Sequence, residues 1–299
     1  MNSKEIVAKA RSLGKCIPAF NIPHIPMLKP VAEAIRDENS VAMIQVARVE
    51  WEKFCSESLE RVAEEYAKYK VEGHTLLHLD HIPVIDEDYV NVDYMSYIQR
   101  GIDAGFQSVM VDASRLSLED NIRCTAEAAA LAHAAGIPIE AELGAVMGHE
   151  NTEMPPYDEI FASRMGFTKI DEAQRFIAES KCDWLSVAVG NIHGQVAEAV
   201  RNQKKPEAKL DVEHIGNLHQ ATGAPLVLHG GSGVRHEYIL GAFQAGIAKM
   251  NVGTEIRQTY EAALAERPGD IEYAREKLYW RTRKYIAEYL YNTDLKNAL

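Results

Sequence analysis

The chain has 299 residues, of which 46% are hydrophobic and 25% are charged, values that are ordinary for a globular protein. Its formal net charge of −12 argues against a nucleic-acid partner, since phosphate backbones are bound by a surplus of lysine and arginine, but it allows a local site for a small anion. No apolar run approaches the ~20 residues of a membrane span and the N-terminus lacks a secretory pattern, so we expect a cytoplasmic protein with no membrane partner.

Short apolar runs recur along the chain, each apolar on both faces, as parallel strands covered by helices are. They lie at residues 16–22, 41–47, 75–81, 108–114, 138–144, 184–190, 224–230 and 247–253. Amphipathic helical patterns separate them, and glycines stand where helices would end, at positions 105, 136, 223 and 246. The alternation predicts an α/β fold, a closed (β/α)8 TIM barrel, with an open doubly wound sheet as the competitor. We expect one domain over residues 1–299, with a C-terminal helical extension over about 268–299.

Histidines follow three of these runs at their C-terminal ends, where barrel enzymes place their active sites. His81 ends the third run, His193 follows the sixth, and His229 ends the seventh. Three imidazoles with one open coordination position form a common catalytic zinc site. The sequence therefore predicts that these three histidines converge at the barrel mouth.

The remaining polar residues near these histidines allow more than one interpretation. Asp80 adjoins His81, and a carboxylate there could act as a general acid or base, or could instead orient an imidazole ligand. His78 is interpreted as a core group or as a support for a ligand. Four further histidines on helices or loops are expected at the surface: His133, His214, His219 and His236.

Glycine-rich loops after the sixth, seventh and eighth runs predict an anion site. Glycines let backbone N–H groups approach an anion closely, and the loops after strands 7 and 8 of barrels often hold a phosphate. A helix begins after the eighth run, and its N-terminus would add N–H donors. The residues concerned are Gly194, Gly230, Gly231, Ser232, Asn251, Gly253 and Thr254.

Eight ordered segments together carry a resemblance to a known family. They are Ala19-Phe20-Asn21, Leu77-His78-Leu79-Asp80-His81, residues 105–112, Glu140-Ala141-Glu142-Leu143-Gly144, residues 187–190, His193-Gly194, residues 226–233 and residues 249–255. In this order they resemble the class II fructose-bisphosphate and tagatose-bisphosphate aldolases, from about residue 5 to about residue 265. The resemblance implies a barrel and metal-dependent aldol chemistry on a phosphorylated sugar.

The resemblance also implies roles for individual residues. His81, His193 and His229 would hold zinc, Asp80 would move the hydroxyl proton, and Glu150, in the long connection after the fifth strand, would protonate the enediolate. The other implied positions are Asp112 and Glu142 near a second or alternative metal position, Asn21, Gly194, Gly230, Gly231, Ser232, Asn251, Gly253 and Thr254 around the substrate and its first phosphate, and Arg257 at the far phosphate. The family further suggests a monovalent cation, Na⁺ or K⁺, beside the first phosphate and a homodimer or homotetramer.

Several positions depart from the family pattern. Ala47 stands where the family commonly has a serine near the substrate, and Gly253 stands where an aspartate is common. Met147-Gly148 replaces a Gly-Gly pair and is followed by His149, and the Asp-Pro-Arg motif near the C-terminus is missing. Arg48 is additional, and either contacts an anionic group or forms a surface ion pair. These departures leave the metal chemistry intact but put a bisphosphate substrate in question.

Three functions are therefore considered from the sequence. The first is an aldolase for fructose 1,6-bisphosphate or tagatose 1,6-bisphosphate, or for a monophosphorylated or deoxy ketose. The second is another metal enzyme on the same barrel, such as a hydrolase or isomerase. The third is a non-catalytic sugar-phosphate-binding protein, against which the presence of Asp80 and the three histidines argues.

Overall fold

A closed parallel barrel forms the centre of the protein. The computed structural model describes residues 1–145, 156–192 and 207–299, and within them eight parallel strands each pair with the next strand along the chain, while the last pairs with the first. The strands are β1 (Ile17–Asn21), β2 (Ala42–Ala47), β3 (Thr75–Pro83), β4 (Ser108–Asp112), β5 (Ile139–Leu143), β6 (Trp184–Val187), β7 (Leu226–Leu228) and β8 (Ile247–Val252). The predicted (β/α)8 barrel is confirmed, and the open sheet is ruled out by the pairing of β8 with β1.

Helices alternate with the strands and surround the barrel. They are α1 (Ser3–Ser12), α2 (Leu28–Asp37), α3 (Arg48–Lys53), α4 (Leu59–Tyr69), α5 (Tyr94–Asp103), α6 (Leu118–Ala134), α7 (Tyr157–Ser163), α8 (Ile170–Ser180), α9 (Val212–Thr222), α10 (His236–Ala245), α11 (Thr254–Glu266), α12 (Ile271–Lys284) and α13 (Leu295–Ala298). Local sequence sets their ends: the Ser117 side chain accepts the N–H of Asp120 at the start of α6, and Gly136 follows its end with φ +76°. None of the helices in the described part of the chain is long and apolar enough to cross a lipid bilayer.

The barrel is closed at its N-terminal end and open at its C-terminal end. α1 places Ile6 and Val7 against Trp184 and neighbouring side chains inside the lower barrel, all of them buried. A second, larger apolar cluster fills the space between the strands and the surrounding helices. Because the lower end is filled with apolar side chains, a ligand site inside the barrel has to lie at the carboxyl ends of the strands.

The C-terminal helices pack onto this barrel rather than extending away from it. α12 packs against α2 and α11, and the Tyr279 hydroxyl donates to the Asp37 carboxylate on α2 at 2.7 Å. A π-helical turn, Tyr285–Tyr289, follows α12, and the short helix α13 comes after it. Trp280 remains 56% exposed.

One prediction about the histidines is wrong. His214 was expected at the surface, but it is buried on α9, with Nε2 2.7 Å from the Thr168 carbonyl oxygen. Its ring also packs against Phe167. A histidine on an amphipathic helix becomes a core residue where a neighbouring carbonyl takes up its ring N–H, and that partner cannot be identified from local sequence.

Candidate active site

A bulge in β3 turns two neighbouring side chains toward the barrel mouth. The register with β4 steps from Leu79 opposite Val109 to Ile82 opposite Val111, so Asp80 and His81 share one position of the partner strand. In a regular strand adjacent side chains face opposite sides, whereas the extra residue of a bulge re-aims one of them. His81 accordingly has φ +28°, a conformation that non-glycine residues adopt at a cost and that is enriched at functional sites.

Two of the three predicted histidines meet at this mouth. The ring centroids of His81 and His229 are 4.4 Å apart, and one ligand atom from each of them and from Asp80 lie within 4.8 Å of one another. Six residues named from the sequence lie outside the described residues: Met147, Gly148, His149, Glu150, His193 and Gly194. The third histidine and the acidic loop residue therefore stay predictions.

Carboxylates surround the two histidines. Asp112 Oδ2 is 3.1 Å from His81 Nδ1, and Glu142 Oε2 is 3.1 Å from His229 Nδ1. The Ser186 hydroxyl donates to the same Glu142 oxygen at 3.1 Å. His81, Asp112 and Glu142 also have ligand atoms within 4.8 Å of one another, so the positions that the resemblance assigned to a second metal adjoin the histidine pair.

The donor set fits a divalent cation such as zinc. Glu140 accepts from His229 Nε2 at 2.7 Å, so Nδ1 is the ring nitrogen that faces Glu142. A lone pair and a carboxylate oxygen facing each other at 3.1 Å repel unless a proton or a cation lies between them. Buried next to Asp80, His81 has its pKa raised to about 10 by that charge and by Asp112, in spite of burial, which lowers it. The carboxylates that stabilise a proton on His81 would also stabilise a cation that replaces that proton.

Asp80 is held by amide donors on three strands. Its Oδ2 accepts from Asn21 Nδ2 at 3.0 Å and from Gln45 Nε2 at 3.1 Å, and its Oδ1 accepts from Asn251 Nδ2 at 2.9 Å. Burial alone would raise the pKa of Asp80, but the positive charges of His81 and Lys249 outweigh burial and lower it to about 2. Asp80 is therefore a fixed, ionised carboxylate. Asn21 and Asn251 donate hydrogen bonds to it rather than pointing only at a ligand.

A buried charged chain supports His229 and was not identified as such from the sequence. Lys249, which has no exposed surface, lies with Nζ 2.9 Å from Glu140 Oε2 and donates to Asn251 Oδ1 at 2.7 Å. Glu140 in turn accepts from His229 Nε2. A lysine and a glutamate inside apolar runs were the available signals, since such groups are buried only when they are paired.

His78 belongs to the core beneath the site, as one of its two interpretations predicted. Its Nδ1 lies 2.8 Å from the Ser108 hydroxyl, its ring packs near Trp184, and it has no exposed surface. Burial and the nearby Lys249 lower the pKa of His78 to about 3. It is a neutral ring that fills the barrel below Asp80.

The loops after β7 and β8 lie side by side, as a phosphate site requires. The Gly231 N–H donates to the Asn251 carbonyl at 3.1 Å, and a Cβ at Gly231 would stand 2.5 Å from Met250 Cγ, so only glycine fits there. The Ser232 hydroxyl accepts the N–H of Glu255 at 3.4 Å. Thr254 begins α11 directly after Gly253, which places a helix N-terminus at this corner of the mouth.

The two arginines named from the sequence are both engaged with carboxylates. Arg257 is buried on α11, donates to Glu261 at 2.6 Å and lies over the Phe54 ring at 5.1 Å. Arg48 donates to Asp86 at 3.2 Å, which favours the ion-pair interpretation of that residue.

Comparison with known proteins agrees with this geometry. The family model described as "Fructose-bisphosphate aldolase class-II" matches residues 1–294. The chain belongs to that family. Family membership and the closed barrel together make the protein an aldolase-type lyase.

Individual relatives cover most of the chain but differ in their named activities. A fructose-bisphosphate aldolase of Helicobacter pylori strain J99 is 30% identical, over 88% of this chain and 85% of the relative. A 6-phospho-5-dehydro-2-deoxy-D-gluconate aldolase of Halalkalibacterium halodurans is also 30% identical, over 88% and 83%. Among solved structures, the YdjI aldolase of Escherichia coli K12 aligns with a TM-score of 0.75 at 27% identity, covering 98% of both chains. The class II family assignment is thus secure, while the substrate is not set by any one relative.

Glu50 is a further buried acid at this aldolase mouth that sequence reasoning missed. It lies in the first turn of α3, is 6% exposed, and accepts the Ala47 N–H at 2.8 Å. Burial, together with the negative charge of Asp80, raises the pKa of Glu50 to about 8, although the Ala47 N–H lowers it. Asp80 and Glu50 are therefore two carboxyl groups of one mouth with opposite protonation at neutral pH, the pattern of paired acids and bases.

The Glu50→Gln variant is expected to become more stable relative to the wild type as the pH rises. At pH values between 4.5, the ordinary pKa of a glutamate, and about 8, the unfolded chain has released the Glu50 proton while the folded chain keeps it. The stability of the wild type therefore falls as the pH rises through this range, and glutamine removes that fall. The upper bound on this change in relative stability is about 5 kcal/mol, since one pKa unit corresponds to about 1.4 kcal/mol. Urea unfolding of the metal-free protein at a series of pH values measures the difference.

Glu52→Gln is the matched control, because Glu52 lies two residues further along α3 and its side chain is 42% exposed. Its stability relative to the wild type should hardly change over the same pH range. Parallel curves for Glu50→Gln and the wild type would show that Glu50 ionises normally in the folded protein.

Proposed function

We propose that the protein is a zinc-dependent class II aldolase that reversibly cleaves a phosphorylated ketose, of the fructose 1,6-bisphosphate or tagatose 1,6-bisphosphate type, to dihydroxyacetone phosphate and an aldehyde. The observation that carries the proposal is Asp80, an ionised carboxylate fixed by three amide donors beside His81 and His229. The named activities of the relatives support the reaction class, and they differ in the sugar they cleave.

Zinc held by His81, His229 and the predicted third ligand His193 would polarise the ketone and stabilise negative charge that develops next to it. Asp80 accepts the proton from the hydroxyl on the carbon that becomes the aldehyde, while the electron pair of the broken C–C bond stays on the other fragment. A carboxylate offers about four lone-pair sites. The three amide donors use three of them, so one remains directed at the substrate hydroxyl.

The phosphate end of the ketose is assigned to the corner between the loops after β7 and β8. Ser232 on one loop accepts the N–H of Glu255 in the first turn of α11, and Thr254 on the other loop begins that helix, whose positive end favours a phosphate. Anchoring this end fixes the reacting carbons against Asp80 and His81, which lowers the entropic part of the barrier. A monovalent cation at this corner and a homodimer or homotetramer remain part of the proposal.

The proposal is tested by incubating the zinc-loaded protein with a panel of ketose mono- and bisphosphates and assaying dihydroxyacetone phosphate. We expect cleavage of at least one sugar, loss of cleavage after chelation, and its return with added zinc. Cleavage that resists complete removal of metal would contradict the class II mechanism. A protein that binds zinc and a ketose phosphate tightly but cleaves none would instead be the non-catalytic sugar-phosphate-binding protein.

A further inference from the structure

A cleft beside the histidine–carboxylate cluster has no role in the chemistry described above. Its cavity volume is about 60 Å³, and one wall is the cluster itself, through His81 and Asp112. The rest of its lining comes from the segments after β2, β3 and β4: Val49, Pro83, Ile85, Glu87 and Arg115. When a substrate is bound at His81, the part of it beyond the reacting carbons therefore has access to this cleft.

Arg115 is the residue of this lining whose charge has no carboxylate partner among the described residues. In the part of the chain that the structure describes, it makes no ion pair within 4.0 Å, and its guanidinium lies 5.1 Å from the ring centroid of Tyr89. Arg115 is itself exposed, so this contact leaves the edge of its guanidinium accessible. The N–H donors at that edge suit carboxylate and phosphate oxygens.

The other charges of the cleft are already compensated. Glu87 pairs with Lys53 at 2.8 Å, and Asp112 pairs with His81 at 3.1 Å and accepts from Ser114. Outside the cleft lining, Arg257 is paired with Glu261, and Ala47 offers no hydroxyl. Arg115 is therefore the cation placed to meet a negative charge beyond the bond that is cleaved.

We propose that Arg115 is a specificity-determining residue that binds an anionic group, a carboxylate or a phosphate, at the aldehyde end of the substrate. The assignment rests on the proposed aldolase function and adds the residue that recognises the far end of the sugar. Val49, Pro83 and Ile85 supply the apolar part of the same lining. A charge-assisted hydrogen bond from the guanidinium to the anionic group would supply the affinity.

The test uses the condensation direction, in which the aldehyde is chosen freely. The zinc-loaded wild type and variants are given dihydroxyacetone phosphate with one of three aldehydes: D-glyceraldehyde 3-phosphate, succinate semialdehyde or neutral D-glyceraldehyde. Arg115→Gln should raise KM for the preferred anionic aldehyde by roughly ten- to a hundredfold, the value of a charged hydrogen bond, and change kcat little. Its kcat/KM for glyceraldehyde should stay near that of the wild type, and Arg115→Lys should restore part of the lost affinity.

Arg123→Gln is the matched control, because Arg123 is an exposed arginine on α6 that pairs with Asp120 at 3.0 Å, outside the cleft lining. It should leave all three aldehydes unaffected. The anionic aldehyde that loses most affinity identifies phosphate or carboxylate as the bound group. If Arg115→Gln lost equal affinity for charged and neutral aldehydes, the assignment of Arg115 alone would be overturned. A zinc-loaded wild type that condenses no aldehyde would overturn the proposed function, and the assignment with it.

Discussion

Replacing Asp80 with alanine is expected to lower the rate of ketose phosphate cleavage by roughly two to four orders of magnitude, the contribution of a positioned acid–base group. Zinc content should stay close to that of the wild type, because the carboxylate of Asp80 is occupied by Asn21, Gln45 and Asn251 rather than required as a ligand. Steady-state cleavage and metal analysis of the same preparation measure the two effects.

Asp80→Asn is the sharper companion variant, since it keeps the size of the side chain but removes its basicity. Its amide group would also face the donors of Asn21 and Gln45, so a small loss of stability is expected alongside the loss of rate. Cleavage within about twofold of the wild type in either variant would reject Asp80 as the base. Loss of zinc together with activity would make Asp80 a ligand instead.

The fold was predictable because its evidence is local. Each strand overlaps one run of apolar residues, with β3 alone extending past its run, and helix ends are marked by residues such as Ser117 and Gly136. The position of the site was predictable for the same reason, since His81 and His229 interrupt or follow those runs at the C-terminal ends where barrel sites lie. Both histidines meet at the mouth.

The contacts between the buried residues of the site were not predictable from the sequence, because they form only when the barrel closes. Glu140 on β5 and Lys249 on β8 form an ion pair across the barrel interior, and no local pattern links two residues so far apart in sequence. Likewise, Asn21 and Asn251 are read as ligand contacts until the register places both against Asp80. The β3 bulge is also invisible in sequence, since an extra residue is defined only by the partner strand.

Lys249→Met is expected to destabilise the folded protein by about 3–5 kcal/mol, the usual effect of removing one partner of a buried ion pair. Lys249 and Glu140 have no exposed surface, so the substitution leaves a carboxylate in the barrel without its cation. Burial alone would raise the pKa of Glu140, and Lys249 together with His229 holds it well below its ordinary value. Chemical unfolding at neutral pH measures the loss of stability.

The same variant should also weaken zinc binding by about ten- to a hundredfold, the typical effect of losing a group that supports a metal ligand. Without Lys249, Glu140 takes up a proton more readily. A protonated Glu140 is a weaker acceptor for His229 Nε2, so the His229 ring loses its fixed tautomer. Competition with a chelator measures the affinity.

The double variant Lys249→Met with Glu140→Gln separates the two effects. Removing both charges eliminates the unpaired buried carboxylate, so most of the lost stability should return. Zinc affinity should remain low, because a glutamine amide does not supply the charge that Glu140 gives to the His229 ring. If affinity recovers together with stability, the Glu140–Lys249 pair serves only the core. If it stays low in a stable protein, the pair tunes the metal site through His229.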